Sequence, residues 1–417
     1  MTPDADKLRL EIRALLPQPN PRRLGVAVSG GGDSVALLYL LSGIAQEEGF
    51  EVVSATVDHG LRPEAASEAE FVAATAKGLG ISHDILKWQG WDGAGNLQDQ
   101  ARQARYRLLT DWAKTHDIDA IALGHTADDQ AETVLMRLSR ASGVTGLSAM
   151  PATRVENGIQ LLRPMLGITR ARLREFLNSQ GAEWIEDLSN QDTRFDRIKV
   201  RDAMKTLEPL GITAESLSRV AGNLTQAREA LEVYTQESAR KIVALDAADA
   251  LIDPELFGVL PDEIARRLVV GIVGWISGTG YPPRQSAVDQ VTLAIRDGKS
   301  AAISGCLLFR HNGKARFCRE LNAVQGVVSR PGELWDRRWR LTGPASESDE
   351  IRALGEKGLL QVADWRASAQ PRQSLLSSPS VWNKSELVAA PLAGFANGWR
   401  AELDTKAEEF YASFLSH

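Results

Sequence analysis

The sequence predicts an α/β protein: an N-terminal domain on a parallel sheet, a helical middle domain and a mixed, mainly β C-terminal domain. Three observations predict it. Strand and helix signals alternate through the first half, a glycine-rich turn joins the first strand to the first helix, and the pattern changes after about residue 210. From there the chain reads as helices, and from Ala301 as short strand-like runs with turn signals such as His311-Asn312-Gly313-Lys314. The expected domains are 1–210, 211–300 and 301–417.

Each element has its own signal. Leu24–Ser29 reads as a buried strand and Ser34–Glu48 as the helix after it; Glu51–Val57 is a second strand. A loop through Gly60 and Pro63 leads to a helix over Glu64–Lys77, and Ile81–Leu86 is the third strand. After a turn cluster at Gly90–Gly95, Asn96 caps a helix with Leu97, Ala101, Ala104 and Leu108 on one face. Asp119–Gly124 is a fourth strand and Ala127–Arg140 another helix. Repeated βα units imply a parallel sheet with helices on both faces and a ligand at the carboxyl ends of the strands. Residues 214–298 read as helices without strands between them.

Composition narrows the class. With 43% hydrophobic and 24% charged residues the chain of 417 is an ordinary globular one. Its longest apolar run, Val35–Leu41, is far short of the roughly 20 residues of a membrane span. Met1-Thr2-Pro3-Asp4 does not open a basic and then apolar leader, and two cysteines, Cys306 and Cys318, build neither a disulfide framework nor a zinc site. The expected location is cytoplasmic, with no membrane partner. Lys plus Arg is 48 against 54 for Asp plus Glu, a net charge of −6 that disfavours indiscriminate nucleic-acid binding. Three stretches run against this average: Arg163–Arg174, Arg194–Lys205 and Phe309–Arg319. Each alone is ordinary solvated charge; together they suggest a focused anion-binding surface.

Ser29-Gly30-Gly31-Gly32-Asp33-Ser34 joins the first strand to the first helix. Successive glycines let backbone N–H groups reach an anion, and the helix N-terminus adds about half a positive charge. The Ser29 and Ser34 hydroxyls are further donors. The turn is neither a Walker A loop nor Gly-x-Gly-x-x-Gly, since Val35 stands where the third glycine would be. A phosphate cradle is the reading, and Asp33 in the first turn of the helix could simply partner its dipole. On the helix after the fourth strand, His125, Asp129 and Glu132 fall at i, i+4 and i+7 and share a face. Asp128 and Asp129 could instead simply stabilise that helix N-terminus. Arg102 and Arg105 lie off the apolar face of their own helix.

Ser-Gly-Gly-x-Asp-Ser resembles the signature of the PP-loop, or N-type, ATP pyrophosphatases, whose domain is adenine nucleotide α-hydrolase-like. Val57-Asp58-His59-Gly60-Leu61-Arg62 with Ser67-Glu68, Ala101–Tyr106, His125–Thr133 running on to Gly143, Arg163-Pro164, and Asp187-Leu188-Ser189-Asn190 with Arg197, Lys199 and Arg201 are similar, in order, to the tRNA(Ile)-lysidine synthase family. Ile198 stands where that family usually has Asn, and Leu188 where Pro is common.

The resemblance implies an ATP- and Mg²⁺-dependent, AMP-forming ligase acting on tRNA(Ile) with a CAU anticodon and free L-lysine. ATP would adenylate the 2-oxo group of the wobble cytidine, and the lysine ε-amine would displace AMP to give lysidine. It implies Asp33, His125, Asp129 and Arg105 as catalytic residues. Ser29, Gly30, Gly31, Gly32, Asp33 and Ser34 would hold ATP, Asp33 and Asp129 the metal, and Arg102, Arg105, Glu132, Arg197 and Arg201 the substrates. An amine of pKa about 10.4 is unprotonated about once in 2,500 at pH 7, so His125 or a carboxylate must take its proton. Oligomeric state stays open, a homodimer being one option. The alternatives are a tRNA thiolase, which needs a reactive cysteine or an iron–sulfur cluster, an amide ligase like the NAD or GMP synthetases, and an inactive binding module. The three basic stretches, with Trp335-Asp336-Arg337-Arg338-Trp339-Arg340, are expected to grip the tRNA, Trp339 being either a stacking residue or core.

Overall fold

The computed structural model describes residues 3–60, 64–89, 96–186, 196–279 and 281–415. It divides into two compact units, Met1–Arg228 and Glu229–Ser416.

In the first unit, helix α1 (Pro3–Arg13) precedes β1 (Arg23–Ala27), α2 (Gly32–Glu48), β2 (Glu51–Asp58), α3 (Ala65–Gly78), β3 (Ser82–Lys87), α4 (Leu97–Thr115) and β4 (Ala120–Leu123). Then come α5 (Ala127–Leu138), α6 (Val144–Leu147), β5 (Thr153–Glu156), β6 (Ile159–Leu162), α7 (Arg170–Ser179), α8 (Asp196–Leu207) and the start of α9 (Ala214–Ile242). The sheet runs β3-β2-β1-β4-β6-β5, parallel except for the antiparallel edge pair β5–β6. The parallel βα fold expected from the sequence is present.

The chain steps outward from β1 through β2 to β3, then crosses back to lay β4 on the other side of β1. Strand order therefore reverses between β1 and β4, and a crevice opens beyond their carboxyl ends. Helix α2 is apolar all round, with Val35, Ala36, Leu37, Leu38, Leu40, Leu41 and Ile44 fully buried, so it forms the spine of the core. Two glycines permit close approach. A Cβ on Gly25 would come within 2.8 Å of the Trp112 ring, and one on Gly124 would come within 3.0 Å of the Ser34 backbone. The second contact lets the end of β4 press against the start of α2.

In the second unit, β7 (Val243–Asp246), β8 (Asp249–Ile252), α10 (Pro254–Gly258), α11 (Asp262–Ser277) and α12 (Gln285–Asp297) precede β9 (Ala301–Ile303), β10 (Cys306–His311) and β11 (Lys314–Arg319). The reading of 214–298 as helices alone is thereby corrected. β7 and β8 form a hairpin whose two-residue turn, Ala247-Ala248, lacks the Gly or Asn that usually marks one, although Ala247 adopts φ 51°. That hairpin joins β9–β11 in one antiparallel sheet, β7-β8-β11-β10-β9. Two three-stranded antiparallel sheets follow, β12 (Leu334–Trp335), β13 (Trp339–Thr342) and β17 (Arg400–Leu403), and β14 (Asp349–Ala353), β15 (Pro379–Asn383) and β16 (Glu386–Ala389).

The basic tail differs from its sequence reading. Arg316 is 2% exposed; its guanidinium donates to Asp249 at 2.6 Å, Asp246 at 2.9 Å and Gln370 at 2.6 Å. Arg319 pairs with Asp336, Lys314 with Asp253, and buried Arg338 bonds the Ala248 carbonyl and lies over the Trp275 ring. Trp335 and Trp339 are core, at 1% and 6% exposure. Arg316 and Arg338 hold hairpin and tail together; of the gripping residues expected in the tail, Arg310, Lys314, Arg337 and Arg340 stay at the surface.

Breaking a buried ion pair leaves its partner charged and desolvated, so Arg316→Ala should destabilise the second unit by about 3–5 kcal/mol. Denaturant unfolding monitored by tryptophan fluorescence checks this, and a loss below about 1 kcal/mol, the scale of a surface pair, would contradict it.

Candidate active site

The glycine loop is pinned from within. The Ser34 hydroxyl donates to the Gly31 carbonyl at 2.9 Å and accepts the Ser29 N–H at 3.1 Å. Gly30 has φ +85°, and a Cβ there would sit 2.8 Å from Ile185, whose N–H donates to the Gly30 carbonyl at 2.9 Å. A Cβ on Gly31 would meet nothing closer than 3.7 Å. Gly30 is thus required by the backbone, whereas bare Gly31 and the first turn of α2 leave N–H groups for a ligand. The loop shapes a cradle, and Ser34 contributes by holding that shape.

A carboxylate centre lies beside it. Thr126 caps α5: its N–H and hydroxyl both donate to Asp129 Oδ2, at 2.8 and 2.9 Å. The expectation that Asp129 serves the helix end therefore holds alongside any other role. Asp128 Oδ2 accepts the backbone N–H of Arg170 at 2.9 Å. The Arg170 side chain then reaches three carboxylates, with Nη2 at 2.6 Å from Asp129 Oδ1, Nε at 3.0 Å from Asp33 Oδ2 and Nη1 at 3.2 Å from Glu132 Oε1. Glu132 Oε1 also accepts from Arg201 Nε at 2.6 Å, while its Oε2 is buried without a hydrogen-bond partner among the described residues. Burial raises the Asp33 pKa despite its one arginine contact. Asp129 is more deeply buried, but the closer guanidinium and the two Thr126 donors outweigh that and hold its pKa down.

A cluster of arginines gathers about Tyr106, over whose ring the guanidinium carbons of Arg102 and Arg154 lie 5.1 and 4.5 Å from the centre. Arg163, 3% exposed, donates to the Pro151 carbonyl, and Arg105 lines the cavity. Burial and the charges of Arg163, Arg105 and Arg102 lower the His125 pKa to about 3, against the opposing pull of Asp129, and its Nδ1 has no hydrogen-bond partner among the described residues.

The crevice has two lobes that share Ala27, Ser29, Gly31, Arg105 and Ile185. One, about 710 Å³, is walled by Asp33, His125, Asp129, Arg170 and Arg201. The other, about 280 Å³, has apolar walls from Val28, Ala55, Val57, Leu109 and Ile185, with Asp58 and His59 at its rim. The structure thus brings Ser29–Ser34, Arg105, His125, Asp129 and Arg201 to one cavity, with Glu132 beside Arg201. Arg102 sits exposed beyond Tyr106. Arg197 falls in α8, but its side chain, like Asp187–Asn190 and Arg194, lies outside the described residues. Sequence reasoning missed Arg170 as a site residue. Its signal was an arginine directly after the helix-capping Thr169, a position where the helix dipole disfavours a cation.

No group of three or more His, Cys, Asp and Glu among the described residues is arranged to hold a metal ion. The two cysteines belong to the second unit and are buried, and burial pushes the Cys306 thiol up to about 12 and that of Cys318 also upward.

A glycine cradle at the strand-order reversal, facing carboxylates from the next helix, defines a nucleotide-binding domain of the PP-loop class, and residues 5–207 match the PP-loop domain family. Beyond that domain the whole chain is similar to a tRNA(Ile)-lysidine synthase from Ruegeria pomeroyi, 53% identical over 417 residues and 100% of both chains. It is also similar to one from Wolbachia pipientis wMel, 35% identical over 381 residues and 88% of each. The chain belongs to the tRNA(Ile)-lysidine synthase family. Among solved structures it is similar to the U34-tRNA thiolase NcsA from Methanococcus maripaludis with its 4Fe–4S cluster. That likeness has a TM-score of 0.47 and 17% identity, over 54% of this chain and 79% of that one.

His125 supplies a pH test. Its folded pKa lies below its ordinary value, so its stabilising contribution is complete above about 6.5 and is lost as pH falls toward about 3. Its imidazole NMR shifts should report the neutral ring from pH 8 down to pH 5 in the free protein. A midpoint near 6.5 would contradict the reading.

Proposed function

We propose that this chain, acting in the cytoplasm, joins free L-lysine to C2 of the wobble cytidine in tRNA(Ile) with a CAU anticodon. ATP is consumed to AMP and pyrophosphate, and the base is adenylated on the way. The observation that carries the reading is the meeting of cradle, carboxylate centre, Arg105 and His125 in one cavity at the reversal point. It is supported by full-length similarity to proteins named for this reaction. Among the described residues no helix is long and apolar enough to cross a membrane.

The cradle's N–H groups and the α2 dipole would receive the phosphate chain, and the apolar lobe suits the flat adenine. A guanidinium already bridges Asp33 and Asp129, so these two carboxylates accommodate a cation. Mg²⁺ is usually bound by one or two carboxylates completed by substrate phosphates, a donor set they fit. When bound it neutralises phosphate charge and orients the α-phosphorus for attack. The cytidine 2-oxo oxygen then attacks that phosphorus and pyrophosphate leaves. Arg105, cationic at the shared wall of the two lobes, is placed to stabilise the charge of the transferred adenylate.

Lysine would attack C2 through its ε-amine and expel AMP. A neighbouring cavity of about 300 Å³ is lined by Asp128, Glu132, Glu208 and Arg201, among others. That mixture suits a molecule bearing both ammonium and carboxylate groups. Asp129 would hold the metal and Glu132 is paired with Arg170 and Arg201, whereas His125 is neutral and its Nδ1 has no partner among the described residues, so we assign the amine's proton to His125. The adenylate's own anion offsets the arginines that make His125 a weak base. Arg102, Arg197 and the exposed cations of the second unit would hold the tRNA.

With Mg²⁺, isotopic lysine and cognate tRNA, the protein should release AMP and pyrophosphate and yield a nucleoside carrying the label by mass spectrometry. ADP and phosphate would contradict this. Asp33→Asn should cut turnover by about 100-fold or more, the scale of losing one preorganised electrostatic contact, with little change in Tm. A large Tm loss would assign Asp33 to the fold instead.

A further inference from the structure

Arg170 is the first residue of α7, and four carboxylates converge on it from two other helices, three at the guanidinium and Asp128 at the backbone N–H. Its one positive charge faces three negative ones at a helix end whose dipole favours anions. The guanidinium is not sealed in; the side chain retains 23% exposure and borders the 710 Å³ cavity, and Asp33 retains 26%. Glu132, by contrast, has a side chain only 3% exposed and is braced by Arg201. The contacts are therefore unequal. Those to Asp33 and Asp129 face the cavity, while the contact to Glu132 anchors the side chain from behind.

Asp33 and Asp129 stand on separate helices and repel each other in a half-buried setting. Something must hold them converged before a nucleotide arrives, and in this structure Arg170 does so.

We propose that Arg170 is a positioning residue, a resident counter-ion that holds the metal-binding carboxylates together in the nucleotide-free protein. It releases Asp33 and Asp129 when Mg²⁺ and the triphosphate enter, and then donates to the phosphate chain while Glu132 keeps its stem in place. The inference rests on the reading that Asp33 and Asp129 hold Mg²⁺. One consequence is unusual for an arginine in an active site: its removal should improve binding of a bare metal ion, because the ion no longer competes with a guanidinium. A merely structural arginine would give no such gain.

The test uses the full-length nucleotide-free protein and Mn²⁺ alone, read by electron paramagnetic resonance. Arg170→Gln should bind Mn²⁺ roughly tenfold or more tightly than the wild type, as expected when a unit charge a few ångströms away is removed from a partly buried site. Arg170→Lys, which keeps the charge, should stay near wild type, and adding Asp33→Asn to Arg170→Gln should abolish the gain. Folded Arg170→Gln that binds Mn²⁺ no more tightly than wild type would overturn the proposal. A second measurement does not depend on the variant folding. In the wild type, the Arg170 Nε–H resonance should shift when Mg²⁺ and a non-hydrolysable ATP analogue are added together, and an unchanged resonance would overturn the proposal. The two readings fail separately. Metal-dependent binding of the analogue that needs Asp33 and Asp129, without any gain in Arg170→Gln, would remove the counter-ion role alone. Analogue binding that ignores the metal would remove both.

Discussion

Three carboxylates from two helices converge on one guanidinium at the carboxyl end of this sheet, and most of the first unit is arranged to make that possible. Like charges a few ångströms apart in a partly dry site cost several kcal/mol at an effective dielectric of about 20 unless a cation intervenes. Arg170 is that cation, with contacts of 2.6, 3.0 and 3.2 Å. Its position depends on α7 starting where it does. Thr169 caps the helix, the Ile168 carbonyl accepts the Ala127 N–H at 2.9 Å, and Asp128 accepts the Arg170 N–H. The starts of α5 and α7 are thus locked together, and Gly124 lets β4 bring α5 against the glycine loop.

The same cavity carries both charges. Asp33, Asp128 and Asp129 line it together with Arg105, Arg170, Arg174 and Arg201. A reaction that brings in a polyanionic nucleotide, transfers an anionic adenylate and then admits an ammonium needs both. His125 in the same lining is neutral because burial and the charges of Arg163, Arg105 and Arg102 outweigh Asp129. Nδ1 of His125 and Oε2 of Glu132 are buried polar atoms without partners among the described residues. Such atoms cost about 1–3 kcal/mol each when unsatisfied, which is tolerable where a ligand completes them.

The elements from β1 to α5 were legible because βα alternation is local: each strand is a short apolar run and each helix an amphipathic or wholly apolar stretch beside it. Helix α1, the β5–β6 pair and α6–α8 lie outside that alternation and were not read. Ser29–Ser34 was legible because three glycines before a helix have few other uses. The β7–β8 hairpin was not, since its turn carries two alanines and its strands are four residues each. The role of the basic tail was misread for a different reason. Arg316, Arg319 and Arg338 look like surface charge in sequence, and only long-range pairing with Asp246, Asp249 and Asp336 and contact with the Ala248 carbonyl show them to be internal. Arg170 escaped in the same way, because its partners Asp33 and Asp129 lie 137 and 41 residues away in the chain.

The most direct test follows one oxygen atom. If the base carbonyl is the group adenylated, the 2-oxo oxygen of the wobble cytidine must leave with AMP when lysine arrives. Cognate tRNA carrying ¹⁸O at that position, incubated with the protein, Mg²⁺, ATP and unlabelled lysine, should yield AMP bearing one ¹⁸O per lysidine formed. Unlabelled AMP, or label transferred to AMP only when the lysine carboxylate carries it, would contradict adenylation of the base.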